Sequence, residues 1–456
     1  MKYIIVLLFG VFLISGCDSL TSTDKEKKPV FNSQNKNLSN GSLIRDNRTD
    51  NIISLDQKFV AVATAIPGFG GIFFDENGQL TVYQKNPGST SKMKSALTLL
   101  PGLSTANKAN AKILEANYDY SELGEWRMLL RREVLGQNSV ITLDIDETRN
   151  KIFVGVEDST RLDEVINSIT DHNIPLNAFK VITVAPFITQ QVIPPGPQGN
   201  SLGEKVDPKA GGLQIENTSF GNNCTLGFNV IWYNSQTGTN ERGFVTNSHC
   251  TDRQGTVLNT GFGQHNSASS NFIGAEVEDP PYFTGTPTYY TCPAGEQCRL
   301  SDSALINYSS GIDAPIGRIY KTHFPGTGND SGSKIHDGVM FTITAQGTYP
   351  YAGQILNKMG YVTGWTQGGL SSTCMDIQTQ TEDGTFRIVT YLCQGVVNAN
   401  TNNGDSGSPV FMEVSGENNV RLEGILWGKA ITNGTVQFAF SPIASVTQEL
   451  SIVDVF

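Results

Sequence analysis

Apolar positions along this chain change their repeat near residue 200. Before it, helical and alternating stretches take turns. Gly71-Ile72-Phe73-Phe74 and Leu80-Thr81-Val82-Tyr83 flank Asp75-Glu76-Asn77-Gly78, which predicts a hairpin. Ser121 precedes Leu123, Trp126, Leu130 and Val134, a stripe at helical spacing that Gly136 closes. Residues 140–145 and 151–156 alternate around a polar turn and predict a second hairpin. Ser159 opens a helix with Leu162, Val165, Ile166 and Ile169 on one face, and residues 179–185 read as a closing strand. This order predicts a small α+β, ferredoxin-like layer over residues 53–187.

Beyond residue 213 the helical spacing gives way to short β-type runs between Gly, Asn and Pro turns, at 226–232, 243–246, 303–306, 339–343, 386–389 and 422–427. They predict a mainly β domain over 213–456. One helix is expected near the end, started by Ser441-Pro442, with Ile443, Val446, Leu450 and Ile452 as its apolar face. Residues 188–212 contain Ile193-Pro194-Pro195-Gly196-Pro197 and Asp207-Pro208-Lys209-Ala210-Gly211-Gly212, and predict an exposed linker open to proteolytic cleavage. Residues 17–52 are rich in Ser, Asn, Asp and Lys and read as a flexible tether.

The N-terminus alters the picture. Lys2 is followed by an apolar run over 3–14 and then by Ser15-Gly16-Cys17. That run is too short to span a bilayer comfortably and reads as an export signal, 1–16. Ile14-Ser15-Gly16-Cys17 resembles the bacterial lipobox, which implies a lipid on Cys17 and a membrane anchor in the cell envelope. Six of the seven cysteines lie after residue 220, an even set that suggests disulfides in an oxidising space. Their spacing does not suggest zinc, the Asp75 turn lacks the later ligands of a calcium loop, and no metal or other cofactor is implied. The net charge of −11, without basic runs, argues against nucleic acid as a partner.

Candidate chemistry centres on Asn403-Gly404-Asp405-Ser406-Gly407-Ser408-Pro409. A Gly/Ser/Asn surface loop would look similar. A serine nucleophile needs a base and donors for the oxyanion, and this turn can aim the N–H groups of Gly404 and Ser406 into one small hole. Among the five histidines, His249 stands out: it follows the strand-like Phe244-Val245-Thr246 and precedes Cys250, for which Cys224 is a natural partner. His172 reads as a helix-end surface residue. The third member must be a carboxylate that holds the imidazole. Asp302, at the entrance to an apolar strand and beside small residues, fits, with Asp279 and Asp313 as competitors near proline.

These stretches resemble the chymotrypsin-fold serine peptidases, in particular the secreted bacterial branch of streptogrisins and alpha-lytic protease. The residues that carry the resemblance are Cys224-Thr225-Leu226-Gly227-Phe228-Asn229-Val230, Val245-Thr246-Asn247-Ser248-His249-Cys250, Ser301-Asp302-Ser303-Ala304-Leu305, Gly360-Tyr361-Val362-Thr363-Gly364-Trp365-Thr366 and Gly404-Asp405-Ser406-Gly407-Ser408-Pro409. The resemblance implies two six-stranded antiparallel β-barrels with the site between them. It implies Ser406 as nucleophile, His249 as base and then acid, Asp302 as its orienter, protein or peptide substrates, and a Cys224–Cys250 disulfide. Cys292 is paired with Cys298 for closeness, and Cys374 with Cys393 as the remaining two. Ser248 and Ser408 stand where the family more often has alanine or glycine and glycine. In position, residues 53–187 resemble the family's prosegment, which assists folding and blocks the cleft. The expected product is a lipid-anchored zymogen whose peptidase is released by cleavage in the linker. The substrate pocket is expected at Asn400, Thr401, Trp427 and Gly428, with Phe438 near, no acid at its floor, and an apolar or restricted shape. The rival expectation is a catalytically silent binding lipoprotein on the same scaffold.

Overall fold

An α+β layer comes first in the computed structural model, which describes residues 54–86, 93, 97–189, 200–266, 268–285, 291–347, 350–381 and 384–456. The signal segment 1–16, Cys17, the tether 17–52 and residues 190–199 of the linker lie outside the described residues. Helix α1 (Leu55–Ala65) starts at a capping box between Ser54 and Gln57. Strands β1 (Phe69–Phe74) and β2 (Leu80–Gln84) form a hairpin, with Asp75 Oδ1 accepting the N–H groups of Asn77 and Gln79 in its turn. After α2 (Thr105–Ala109), β3 (Lys112–Glu115) adds parallel to β2. Helix α3 (Tyr120–Glu133) buries Leu123 and Leu130, and its cap is Asp119, which shares a capping box with Glu122. Ser121 therefore lies inside the first turn and not at the cap. Strands β4 (Val140–Asp146) and β5 (Lys151–Val156) pair antiparallel, and β6 (Phe179–Thr183) runs parallel to β5 after helix α4 (Leu162–Asp171).

The later β-type runs continue as β7 (Gln214–Asn217), β8 (Asn223–Thr225), β9 (Phe228–Asn234), β10 (Thr239–Thr246), β11 (Gly261–Gln264), β12 (Phe272–Glu278), β13 (Gln297–Arg299) and β14 (Ala304–Tyr308). After them come β15 (Arg318–Thr322), β16 (Gly326–Thr327), β17 (His336–Gln346), β18 (Ile355–Gly360), β19 (Gly364–Gln380), β20 (Ile388–Val397), β21 (Pro409–Glu413), β22 (Asn419–Thr432) and β23 (Thr435–Pro442). Helix α5 (Ile443–Glu449) and β24 (Ile452–Asp454) end the chain. Helix α5 buries Ile443 and Val446, but Leu450 is already extended, so Ile452 belongs to β24 and not to the helix face.

One sheet has eight strands in the order β24-β9-β10-β14-β12-β11-β7-β8. In the other, β18, β19, β20, β23, β22 and β21 pair in a closed ring, which leaves those strands no free edge. The described strand pairings close this one ring; in the eight-strand sheet β8 leads into β9 through Leu226 and Gly227, whose N–H groups donate to the Leu213 and Val245 carbonyls, so β7 and β10 flank one continuous stretch of chain. Strand β19 runs past the ring, and its Asp376 and Ile377 pair with Leu143 and Thr142 of β4. The α+β layer thus extends the second sheet and shares its core with the β19–β20 hairpin, Leu123 and Leu143 clustering with Leu392 and Cys393.

Over 200–212 the expected linker is exposed only in part: Lys205 and Asp207 are exposed, but other positions are not. Ser201, Leu202, Lys209 and Ala210 are buried, and Ser201 and Gly211 bridge Ile335 and Ile319. The glycines there permit close approach: a Cβ on Gly211 would lie 2.4 Å from the Gly227 carbonyl oxygen. Disulfides join Cys224 to Cys250, Cys292 to Cys298 and Cys374 to Cys393.

Candidate active site

Strands β10 and β14 are neighbours, with Thr246 opposite Ala304. His249 lies just after the first and Asp302 just before the second, so the register brings both to one end of the sheet. Asp302 is fully buried and holds the histidine twice. Its Oδ2 lies 2.5 Å from His249 Nδ1, and its Oδ1 accepts the His249 backbone N–H at 3.1 Å. Asn247 donates to the Asp302 carbonyl at 2.6 Å, and the Asp302 N–H donates to Ser441 Oγ at 3.0 Å. Glu449 accepts the N–H groups of Leu300 and Ser301, fixing the segment from behind.

The competing acids are engaged elsewhere. Asp313 is exposed. Asp279 is buried, 3.0 Å from Arg299, and accepts from Ser248 Oγ at 2.7 Å. Burial raises the Asp279 carboxyl and Arg299 opposes that rise. Ser248 thus gains a reason: its hydroxyl joins a buried ion pair under the histidine turn, where alanine or glycine would leave a gap in the network.

Ser406 belongs to the second sheet's half. Its carbonyl accepts the Thr225 N–H at 2.7 Å, and Gly407 N–H donates to the Leu426 carbonyl at 2.9 Å. Thr225 Oγ1 donates to the Gly404 carbonyl at 2.9 Å, and Thr246 Oγ1 donates to the Thr225 carbonyl at 3.1 Å. Cys224, next to Thr225, is bonded to Cys250, next to His249. One residue pair therefore ties the serine turn to the histidine turn. Gly404 has φ +94°, and a Cβ there would meet Tyr361 Oη at 2.6 Å, so this turn requires glycine. Among the described residues, the N–H groups of Gly404 and Ser406 donate to no backbone carbonyl, while those of Asp405, Gly407 and Ser408 do.

Two residues without a role in the sequence reading hold this turn. Asp405 is fully buried and accepts the N–H groups of Val362, Thr363 and Asn402. Its counter-ion is Lys358 of β18, at 3.1 Å and equally buried. Burial pulls the Lys358 ammonium below its usual range, and Asp405 opposes that pull. A lysine between Asn357 and Met359 in a strand is the one signal the sequence offers. Lys358→Met strands a buried carboxylate and is expected to cost about 3–5 kcal/mol of stability. Lys358→Met with Asp405→Asn should cost less than Lys358→Met alone, because no unpaired charge remains. Urea unfolding of both variants measures this, and equal losses would refute the pairing.

A small cleft beside Ser406 is lined by Thr401, Trp427, Gly428, Lys429 and Ile188. Asn400 is not part of this lining: its side chain donates to Ser331 Oγ and its carbonyl accepts from Thr366. Phe438 is buried in a separate apolar cluster with Leu426. Trp427 is fully buried, its Nε1 donating to Gln394 Oε1 at 2.9 Å and its ring 4.7 Å from that of Tyr391. Ile188 exchanges two backbone hydrogen bonds with Lys429, at 2.9 and 3.0 Å. The segment that follows β6 therefore lies in the cleft, held there by an isolated bridge between Ile188 and Lys429. Cys224, His249 and Cys250 alone have metal-like spacing among the described residues, but the two sulfurs are bonded to each other.

No family model matches the chain, and no curated protein matches it. Solved structures do. A glutamic acid specific serine protease is 19% identical, over 54% of this chain and 100% of that chain, with a TM-score of 0.35. Thermobifida fusca protease A is 18% identical over 54% and 97%, with a TM-score of 0.34. An alpha-lytic protease homolog, N4, is 17% identical over 51% and 92%, with a TM-score of 0.32.

Proposed function

We propose that this chain is an exported serine endopeptidase, made as a lipid-anchored zymogen whose α+β layer is the prosegment. The observation that carries the proposal is the 2.5 Å contact between His249 Nδ1 and Asp302 Oδ2, on a turn tied through Thr225 to the turn of Ser406. In this reading the two sheets correspond to the two barrels of the chymotrypsin plan, each supplying part of the site.

Ser406 Oγ attacks the substrate carbonyl carbon while His249 Nε2 takes its proton. Asp302 keeps Nδ1 protonated and offsets the charge of the imidazolium. The oxyanion receives the N–H groups of Gly404 and Ser406. His249 then gives its proton to the leaving amine, and the acyl-enzyme forms. A water molecule, deprotonated by the same histidine, hydrolyses that ester and returns the serine.

The pairing of Ile188 with Lys429 supports the inhibitory role of the layer, since an extended substrate would use the same backbone groups. Cleavage after Thr189, within 190–199, frees the peptidase, while a lipid on Cys17 keeps the rest at the envelope membrane. A fluorophosphonate probe tests this. We expect labelling of a fragment that begins between residues 190 and 200, abolished by Ser406→Ala. Labelling of the uncut chain alone would remove the zymogen scheme. Cut and folded protein that takes no label would favour a silent binding scaffold.

A further inference from the structure

The ladder between β10 and β14 ends at the pairing of Thr246 with Ala304, and the two residues that must meet lie beyond it. The turns of His249 and Asp302 therefore need ties of their own. Asn247 and the His249 backbone supply two, both made to Asp302 itself. Arg299, at the end of β13, ties the residues outside that pair. Its Nη1 donates to Ser248 Oγ at 2.8 Å and to Asp279 Oδ1 at 3.0 Å, and its Nη2 donates to the Ser303 carbonyl at 2.8 Å. Ser248 immediately precedes His249, and Ser303 immediately follows Asp302. One guanidinium thus grips a neighbour of each. The grip is braced on both sides. Ser248 Oγ donates to Asp279, Thr251 Oγ1 donates to the Ser248 carbonyl at 2.8 Å, and the Tyr282 ring centre lies 5.6 Å from the guanidinium carbon. Stability alone is a poor reason to bury this arginine completely. Apolar packing of the same volume is often as stable as a buried ion pair, and Arg299 Nε is left without a hydrogen-bond partner among the described residues.

We infer that Arg299 is a positioning residue: through Ser248 and Ser303 it holds the imidazole of His249 and the carboxylate of Asp302 in register for acylation of Ser406. The inference rests on the peptidase reading. A guanidinium suits the task because its two Nη groups diverge in one fixed plane and reach acceptors on two separate turns. Loss of the fork lets one turn slide against the other. The Nδ1 to Oδ2 contact then lengthens, and Nε2 turns away from the serine. Arg299 touches neither substrate nor reacting atoms, so its loss should appear in the rate of acylation and not in affinity.

The test compares wild type, Arg299→Lys and Ser248→Ala, each cut within 190–199 by an added protease so that self-processing does not enter. The burst of p-nitrophenol from p-nitrophenyl acetate gives the limiting acylation rate and the half-saturation concentration. Lysine keeps the charge and loses the fork. Arg299→Lys is expected to slow limiting acylation by roughly 10- to 100-fold. Half-saturation should stay within about twofold. The acidic limb of the pH profile should keep its midpoint, because the charge beside the histidine turn is unchanged. Ser248→Ala severs only the tie to the histidine turn and should slow acylation by about tenfold. It also decides the question if Arg299→Lys does not fold. Wild-type acylation in either folded variant would overturn the inference. A displaced acidic limb with an unchanged plateau would overturn it too, because Arg299 would then act through its charge. A wild type that gives no burst and takes no fluorophosphonate label would remove the peptidase reading, and the positioning role with it.

Discussion

Asp302→Asn is expected to lower kcat by about 10,000-fold with little change in stability. The argument lies in the two contacts of one carboxylate. Oδ1 accepts the His249 backbone N–H and Oδ2 faces Nδ1. An amide has a single oxygen. If that oxygen stays on the backbone N–H, the NH2 group meets Nδ1, which must then be the acceptor. The imidazole proton moves to Nε2, the atom that should receive the serine proton, and the base is lost. If the amide turns over, its NH2 group meets a backbone N–H and the histidine turn is strained. Either way, acylation fails while the surrounding hydrogen bonds from Asn247 and to Ser441, which use the Asp302 backbone, persist. Burst kinetics with an ester substrate would show the acylation step slowed, and thermal unfolding would show the fold retained. Near wild-type acylation by this variant would assign the orienting role elsewhere and sink the Asp302 assignment.

The sequence contained more of the site than of its supports. A Gly-Asp-Ser-Gly turn and a histidine beside a cysteine are local patterns, so short motifs suffice to suggest Ser406 and His249. Asp302 and Asp279 were harder to separate. Asp302 stands before an apolar run and Asp279 before two prolines, and only the pairing of Thr246 with Ala304 shows which one faces the imidazole. Lys358 gives only a weak signal, for a different reason. Alternation marks a charged residue in a strand as solvent-facing, whereas here its ammonium crosses the interior to Asp405. The same ambiguity affected 200–212, where glycine and proline signal either a solvated loop or backbones packed too closely for a side chain. Asp119 and Ser121 are both good caps two residues apart, and Glu122 decides between them because it lies three residues after Asp119. The first sheet depends on distant pairings, such as β24 on β9, that no local pattern encodes.

Arg131→Met is expected to weaken the hold of the α+β layer on the proposed peptidase by about 3–5 kcal/mol, and that hold should also loosen as pH rises. The contact is a buried charge cluster. Arg131 of α3 forks onto Asp376 of β19, Nε to Oδ2 at 2.6 Å and Nη2 to Oδ1 at 2.9 Å. Arg127 reaches Asp56 at 2.5 Å and Asp376 at 3.1 Å. Tyr120 donates to Asp56, and Thr373 donates to Glu147 at 3.0 Å. Asp144 completes the set, with its Oδ1 buried and without a hydrogen-bond partner among the described residues. Four carboxyl groups thus face two guanidinium groups. Burial pushes Asp144 and Glu147 well above the usual carboxylate range, and it raises Asp56 against the pull of Arg127. A carboxyl raised in the docked state binds a proton on docking. Its contribution is therefore complete below about pH 4, the range of the free acids, and is lost as pH rises through the docked value. Each such group changes the dissociation constant by at most tenfold per pH unit. For the cut chain, size-exclusion chromatography from pH 4 to pH 8 should show the layer retained in acid and released toward neutrality. Glu147→Gln should flatten that dependence by removing one titrating group, whereas Arg131→Met should promote release at every pH. Release that grows toward acid would reverse the sign and refute control of docking by the raised carboxyls.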